Sequence, residues 1–442
     1  MQAVSATSSG PAHPPGFRPR RGLNWGFIGL LYTSFYLCRY NFPIANKAIA
    51  EEFHFSKAQM GTIVTTVALA YAFGQILNGL LTDRIGGKRA MLIGAAGTII
   101  MNIAFGAASF AGLLWLFMLI RGIDGYLQAF GAPGMVKMNS AWFAPRERGR
   151  FAGIFGFMIN LGRFGIFKLG PSLLAGFTFL GMWQVPPQHW RMLFWVPAGI
   201  ATVVAIGMAI FVKPTPEDAG WPGVIKHEDD DDGSVTARVG MVLAAIVTNP
   251  VIWVVAGAYA CTGAVRQGID QWFPRLLQDV YSVSLDSGKF QLVGFLIPFV
   301  ASFGSLISGY LSDTVFKGRR APVAAFLYFL ETAVILVAAQ FHTANAAVLF
   351  LVLISLTANS THSILGTAAA MDIGGRKMAG FASGVIDSFQ YFGGSLAGYF
   401  LGLLLDKSWD YYFYFMAPFG IVGGLLMLTI LGRVSLRKGA GH

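Results

Sequence analysis

Charge is scarce in this chain. Only 12% of its 442 residues are Asp, Glu, Lys or Arg, about half of the roughly 25% usual in a soluble domain. That excludes a soluble enzyme. It equally excludes a disordered chain, which combines high charge with low hydrophobicity. Cysteine is scarcer still. Cys38 and Cys261 are the only two, and both sit in apolar runs, so a disulfide framework is not expected and a zinc site is excluded by number. Of the seven histidines, only His362 lies deep in an apolar run, and it reads as a cavity-lining or helix-packing residue. No Gly-x-x-x-x-Gly-Lys loop and no ATP-binding domain are present, so any transport must be driven by a gradient. No catalytic residue, cofactor or metal ligand set emerges, and the chain does not read as an enzyme. Acidic residues are outnumbered, 21 against 32 basic, for a net charge of +11. In a soluble protein that excess would point to nucleic acid. Here the apolar content argues against that partner.

Apolar residues make up 55% of the chain, and the mean hydropathy is +0.59. They gather into runs of about 20 residues, the length that crosses a bilayer as a helix. Twelve such spans are predicted, near 23–49, 58–82, 90–110, 112–142, 150–180, 190–212, 243–277, 286–312, 321–341, 344–371, 378–405 and 409–432. The expected fold class is therefore an all-α membrane protein with twelve transmembrane helices. Residues 1–22 are rich in Ser, Pro and Gly and lack the short apolar core of a cleaved signal; they read as a solvated tail. Residues 213–242 hold Pro214, Pro216, Pro222 and the run Glu228-Asp229-Asp230-Asp231-Asp232. They read as a linker between a first half, 23–212, and a second half, 243–433, with a short tail at 434–442.

Basic residues alternate between loops. One set is Arg18, Arg20 and Arg21; Arg84, Lys88 and Arg89; Arg146, Arg148 and Arg150; Lys213, Lys226 and Arg238; Lys317, Arg319 and Arg320; Arg376 and Lys377; Arg433, Arg437 and Lys438. The intervening loops hold only Lys47, Lys57, Arg275, Lys289 and Lys407. The positive-inside rule then predicts both termini in the cytoplasm, with a bacterial inner membrane as the expected host and the lipid bilayer as the first partner. The remaining Lys and Arg fall inside or at the edge of spans.

The two halves repeat. Gly79-Leu-Leu-Thr-Asp83-Arg84 in loop 2–3 and Gly309-Tyr-Leu-Ser-Asp313 in loop 8–9 share a Gly-x-x-x-Asp pattern followed by basic residues, 230 apart. Ala152-Gly153 and Ala379-Gly380 match at an offset of 227, and at that same offset Arg39 in span 1 falls on Arg266 in span 7. Repeated halves with a site at their interface are an organisation of secondary transporters. An unpaired Arg at the bilayer centre costs at least about 2.5–3.5 kcal/mol. Span 1 offers Arg39 no acidic neighbour, whereas Asp270 lies one turn from Arg266 and is available as an internal partner. Two guanidinium forks facing each other suit a doubly charged oxyanion, because each donates two parallel hydrogen bonds. Tyr32, Tyr36 and Arg39 share one helix face by their spacing of four and three; the tyrosines read either as a cavity wall or as hydrogen-bonded helix neighbours.

The Gly-x-x-x-Asp-Arg loop and its weaker second copy resemble the major facilitator superfamily over essentially the whole chain. Tyr36-Leu-Cys-Arg39-Tyr40-Asn41-Phe42, Glu147-Arg148-Gly149, Phe316-Lys-Gly-Arg-Arg-Ala-Pro322 and Phe389-Gln-Tyr391-Phe-Gly393-Gly394 narrow the resemblance to the organophosphate:phosphate antiporters. That resemblance implies a major facilitator fold and alternating access. It implies exchange of a phosphorylated small metabolite, of the sugar phosphate or glycerol phosphate class, for inorganic phosphate, by a chain working as a monomer. It makes Arg39 and Arg266 the phosphate clamp and puts Tyr32, Tyr36, Tyr71, Gln128, Asn160 and Tyr391 in the cavity. Asp83, Arg84 and Asp313 then act as gating residues at span ends. Arg121, Asp124 and Gly125 resemble the superfamily's fourth-helix motif, which serves proton coupling in some relatives and structure in others.

The chain also departs from the pattern. Gln75 stands where glycerol phosphate carriers have Lys, Ile159 where they have His, and Ser360-Thr361 where Gly-Pro is usual. In exchange, span 5 carries Arg163 and Lys168, and span 11 carries Asp387, 227 residues after Asn160. Two readings stay open: a substrate with an amino or other polar group near Asp387, or an Arg163–Asp387 ion pair between the halves. Two other functions also stay open, a phosphate-ester sensor with little flux and a proton-coupled symporter of a carboxylate with Asp387 or Asp124 titrating.

Overall fold

The computed structural model describes residues 14–143, 148–179, 183–225, 244, 247–316, 319–369 and 384–431. The acidic run at 228–232, Ala379-Gly380, Arg146, Arg376, Lys377 and the side chains of Arg148, Arg150 and Asp313 lie outside the described residues, as do residues 1–13 and the C-terminal tail.

Twelve helical spans form the molecule. Spans 2, 3, 6, 8, 9, 10 and 12 are carried by the helices Lys57–Ile85, Gly87–Ala107, Met192–Phe211, Gly288–Tyr310, Arg320–Ala338, Ala344–Ser363 and Tyr411–Thr429. Each of these regions is long and apolar enough to cross a membrane by itself. Among the described residues, the other five are not. Span 1 breaks into Phe17–Arg39 and Asn41–Phe53, and span 4 into Leu114–Gln128 and Gly131–Trp142. Span 5 is Arg148–Leu174 and span 7 is Pro250–Asp279. Span 11 breaks between 384–396 and Tyr399–Lys407. These five carry Arg39, Arg121 with Asp124, Arg163, Arg266 with Asp270, and Asp387. Three of these five spans, 1, 4 and 11, also break, and charge and irregular backbone are tolerated at membrane depth only where protein or a cavity surrounds them. Outward faces are apolar, with Ile100, Val203, Ile210, Leu306 and Leu425 exposed as a lipid-facing surface requires.

Three local features differ from the sequence expectation. The first helix begins at Phe17, inside the expected tail, because Phe17 is buried against Trp142, Phe143 and Ile225. The linker's first residues are tied to the first half, with Trp142 Nε1 donating to the Lys213 carbonyl at 3.1 Å. Span 5 ends at Leu174, and Gly176 at φ +86° turns the chain into a small hairpin, Phe177–Phe179 paired with Trp183–Val185.

Among the described residues the halves meet most extensively through three span pairs: 2 with 11, 5 with 8, and 1 with 7. Spans 2 and 11 approach most closely, since a Cβ on Gly61 would lie 2.3 Å from the Gly398 carbonyl oxygen. At the sparsely charged end, the first turn of span 2 is held by the second half: the Lys57 and Ala58 amides donate to Asp406 at 2.7 and 2.9 Å. Lys47 pairs with Asp279 at 2.9 Å, and Arg275 donates to Asn46 at 2.8 Å. This end is closed.

Candidate functional site

Arg39 is the last residue of the first helix, and Tyr40 leaves helical geometry at φ −91°, ψ 8° before the chain restarts at Asn41. The break aims Arg39 at the bundle centre. Its Nε donates to Gln128 Oε1 at 2.8 Å and an Nη to the Tyr391 hydroxyl at 3.3 Å. The guanidinium lies over the Tyr36 and Tyr71 rings, 4.9 and 4.3 Å from their centroids. Arg121 and Asp124 support this placement. They pair at 2.7 Å, Asp124 accepts from Gln128 Nε2 at 2.9 Å, and Arg121 donates to the Cys38 and Arg39 carbonyls at 3.4 and 3.3 Å. The fourth-helix motif thus holds Gln128 and the span 1 break in position for Arg39.

Arg266 faces the centre from span 7. Its Nη contacts His362 Nδ1 at 3.0 Å. A guanidinium only donates, so Nδ1 accepts and the imidazole is neutral with its proton on Nε2. Gln390, with its carboxamide oriented to satisfy its neighbours, accepts from Arg266. The Arg266 Nε has no hydrogen-bond partner among the described residues. Neither Arg39 nor Arg266 makes an ion pair among the described residues.

The other buried cations are neutralised. Arg163 on span 5 pairs across the halves with Asp270 on span 7, whose second oxygen accepts from the Tyr40 hydroxyl at 3.0 Å, and Arg163 lies 4.9 Å over the Tyr40 ring. This corrects two expectations. Asp270 turns to Arg163 rather than to Arg266 on its own helix, and Arg163 does not pair with Asp387. The reason is geometric: the break at Tyr40 brings a hydroxyl and the span 5 guanidinium together around Asp270. Lys168, the other charge expected on span 5, is exposed rather than in the centre.

Asp387 accepts from neutral groups instead. Gln75 Nε2 donates to Oδ2 at 3.0 Å and Gln390 to Oδ1 at 3.1 Å, while the Tyr259 hydroxyl, 3.2 Å from Oδ1, donates to His362 Nδ1 at 2.6 Å. Gln75 also reaches the Tyr71 hydroxyl at 3.1 Å, and Tyr71 packs on Tyr391 with centroids 4.3 Å apart. Asn160 donates to Ser302 on span 8 at 2.7 Å. Tyr32 packs edge-on to Tyr36, and Tyr36 stacks on Tyr40 at 5.8 Å. Arg39, Arg266, Tyr36, Tyr71, Gln128, Asp387 and Tyr391 thus form one cluster, with Tyr32 behind Tyr36 and Arg163 held beside it by Asp270. Asn160 sits at the neighbouring contact of spans 5 and 8. Asp83 receives Lys137 of its own half at 3.2 Å, and Arg84 is exposed. Both stand apart from the cluster at the span 2 end.

Four neighbours escaped the sequence reading: Tyr40, Tyr259, Ser302 and Gln390. Two carried a usable signal. Tyr259 stands 227 residues after Tyr32, so both halves hold the pattern Tyr-x6-Arg, and Ser302 stands 227 after Gln75. Tyr40 and Gln390 carried none of their own: Tyr40 enters at a helix break, which Pro43 signals by lacking an N–H for the Arg39 carbonyl, and Gln390 by its rotamer.

Two repeated six-span halves around a buried, charged centre define a secondary-transporter architecture. The family model described as Major Facilitator Superfamily matches residues 28–398, and the chain belongs to that superfamily. It is 26% identical to the glycerol-3-phosphate transporter of Bacillus subtilis (strain 168), over 87% of this chain and 86% of that one. It is 26% identical to the membrane sensor protein UhpC of Escherichia coli (strain K12), over 93% and 92% of the two chains. Among solved structures, a bacterial homologue of the human lysosomal transporter Spinster, inward-facing and occupied, superposes with a TM-score of 0.75 at 16% identity, covering 96% of this chain and 99% of that one. At that identity the likeness speaks for the fold.

Proposed function

We propose that this protein exchanges a phosphorylated small metabolite for inorganic phosphate by alternating access, with Arg39 and Arg266 as the phosphate clamp. One observation carries the reading. Of the arginines at the centre, Arg121 and Arg163 have carboxylate partners, whereas Arg39 and Arg266 are held only by neutral acceptors among the described residues. Their charge is left for a ligand, and guanidinium forks match phosphate oxygens in pairs. The similarity to a glycerol-3-phosphate transporter supports the same substrate class.

The empty clamp places like charges across the repeat axis, which disfavours closing the halves over it. A bound anion removes that repulsion, so the carrier crosses loaded in both directions and exchange is obligatory. The positive-inside rule puts the closed end outside a bacterial inner membrane and both termini in the cytoplasm. Asp83, Arg84 and Asp313 then lie at the cytoplasmic ends of spans 2 and 8, where helix-end contacts change as the halves rock. The transporting unit is one chain.

The test is counterflow. Liposomes holding the purified protein and internal phosphate take up labelled phosphate, and Arg39→Lys and Arg266→Lys each reduce the rate at least tenfold. Unchanged rates in both variants would overturn the clamp. The similarity to a membrane sensor favours a second reading, in which esters bind but are not moved. Tight ester binding with no flux of phosphate or ester would establish that one.

A further inference from the structure

We propose that the substrate is an aminated phosphate ester, a metabolite with a phosphate and a free primary ammonium, and that Asp387 receives the ammonium. The inference rests on the phosphate clamp and names the class of molecule that completes it.

Charge balance is the first argument. The Arg121–Asp124 and Arg163–Asp270 pairs cancel internally. What remains facing the centre is Arg39, Arg266 and Asp387, one positive charge in sum. A loaded carrier must pass through an occluded state of low dielectric, where uncompensated charge is costly. An ester dianion such as glycerol phosphate leaves one negative charge there. An ester dianion that also carries an ammonium leaves none. Monobasic inorganic phosphate leaves none either, so the two exchange partners present the protein with the same total charge.

Hydrogen-bond capacity is the second argument. An ionised carboxylate has about four acceptor positions. Two are taken at Asp387, by Gln390 on Oδ1 and by Gln75 on Oδ2; the Tyr259 hydroxyl lies 3.2 Å from Oδ1 but gives its one proton to His362 Nδ1 at 2.6 Å. Both donors are neutral, and Asp387 makes no ion pair among the described residues. It is also only half-buried, unlike Gln75, Tyr259 and Gln390 around it. A position on Oδ2 is thus open toward the centre. The Tyr71 hydroxyl, which receives the same Gln75 amide at 3.1 Å, offers a second acceptor beside it. The ring of Tyr71 lies under the Arg39 guanidinium at 4.3 Å, so the ammonium position and the phosphate position share one side chain.

The experiment compares three sugar phosphates that differ at one substituent. Glucosamine 6-phosphate has the ammonium, glucose 6-phosphate a hydroxyl, and N-acetylglucosamine 6-phosphate a neutral amide. Phosphoethanolamine and glycerol 3-phosphate make a second, smaller pair. Each is titrated against labelled phosphate uptake into phosphate-loaded liposomes holding the full chain, and separately against the thermal unfolding of the detergent-solubilised protein. The aminated member of each set should act at a concentration at least tenfold lower than its neutral counterparts. Asp387→Asn should erase or reverse that order, and Asp387→Glu should retain it. Equal potency of the amine and its hydroxyl counterpart in the wild-type protein would overturn the proposal, whatever the variants do. The unfolding readout needs no flux. Absence of phosphate exchange with a preserved amine preference would sink the exchange reading alone, and exchange without an amine preference would sink this one alone.

Discussion

Asn160 on span 5 and Asp387 on span 11 stand 227 residues apart, and each carries a hydrogen bond that joins its half to the other. Their partners, Ser302 on span 8 and Gln75 on span 2, are also 227 apart. The same contact is therefore made twice, once as an amide on a hydroxyl at 2.7 Å and once as an amide on a carboxylate at 3.0 Å. One copy is neutral and lies at the spans 5 and 8 contact. The other is charged and reaches the clamp.

That asymmetry predicts unequal mutants. Ser302→Ala removes a neutral bond worth about 1 kcal/mol, so exchange should change by no more than about fivefold and substrate preference should stay. Gln75→Leu removes a donor from a carboxylate and should weaken ester binding at least tenfold. Dose-response curves for phosphate and one ester on each variant check both. Equal effects would mean that the two contacts serve only to hold the spans together.

The Arg163–Asp270 pair is almost fully buried on both sides. Removing one partner leaves a buried, unpaired charge, at a cost of about 3–5 kcal/mol. Arg163→Gln and Asp270→Asn should each lower the melting temperature of the solubilised protein, and the swap Arg163→Asp with Asp270→Arg should recover part of the loss. A swap between Arg163 and Asp387 should recover nothing. Recovery by that second swap would show that Asp387 is the working partner in the membrane.

Gly61 and Gly398 hold spans 2 and 11 at backbone contact. Even the methyl of Gly61→Ala would sit 2.3 Å from the Gly398 carbonyl oxygen, and one on Gly398 would sit 2.3 Å from Thr65 Oγ1. Either alanine should force this end open and move the carrier toward the opposite state. Ser395, buried near the same contact and accepting from Thr65 through its carbonyl at 2.7 Å, reports it. In a Ser395→Cys background, an impermeant maleimide should label the Gly61→Ala protein at least tenfold faster than its parent. Equal labelling would mean that the spans absorb the methyl without opening.

Glu331 on span 9 is fully buried, and among the described residues neither carboxyl oxygen makes a hydrogen bond of regular geometry, with Thr357 the polar side chain beside it. A buried acid without such bonds is destabilising relative to a neutral side chain of its shape. Glu331→Gln should raise the melting temperature of the solubilised protein or leave it unchanged. A fall of several degrees would reveal a role that the hydrogen bonding at this site does not express.

Much of this was legible before any coordinates. Twelve apolar runs, the long polar segment between them and the alternation of basic loops are properties of composition along the chain, so the spans and the halves could be read directly. The offset of 227 likewise pairs Arg39 with Arg266 without reference to distance. Helix breaks were harder to see. Pro43 has no N–H for the Arg39 carbonyl and so marks the break at Tyr40 locally, but it does not say where the break aims the side chains; Gly398, where the chain restarts as helix, follows Gly393 and Gly394, which stay helical.

Pairing was decided by the tertiary structure alone. Asp270 lies four residues from Arg266 and 107 from Arg163, and proximity along the chain favours the first. The carboxylate takes the second, because a helix break on span 1 and the crossing of spans 5 and 7 set its direction. Hydropathy and repeat offsets describe each residue with its neighbours in sequence. Which of the buried arginines keeps its charge for a ligand depends on distances between helices, and those exist only once the halves have packed.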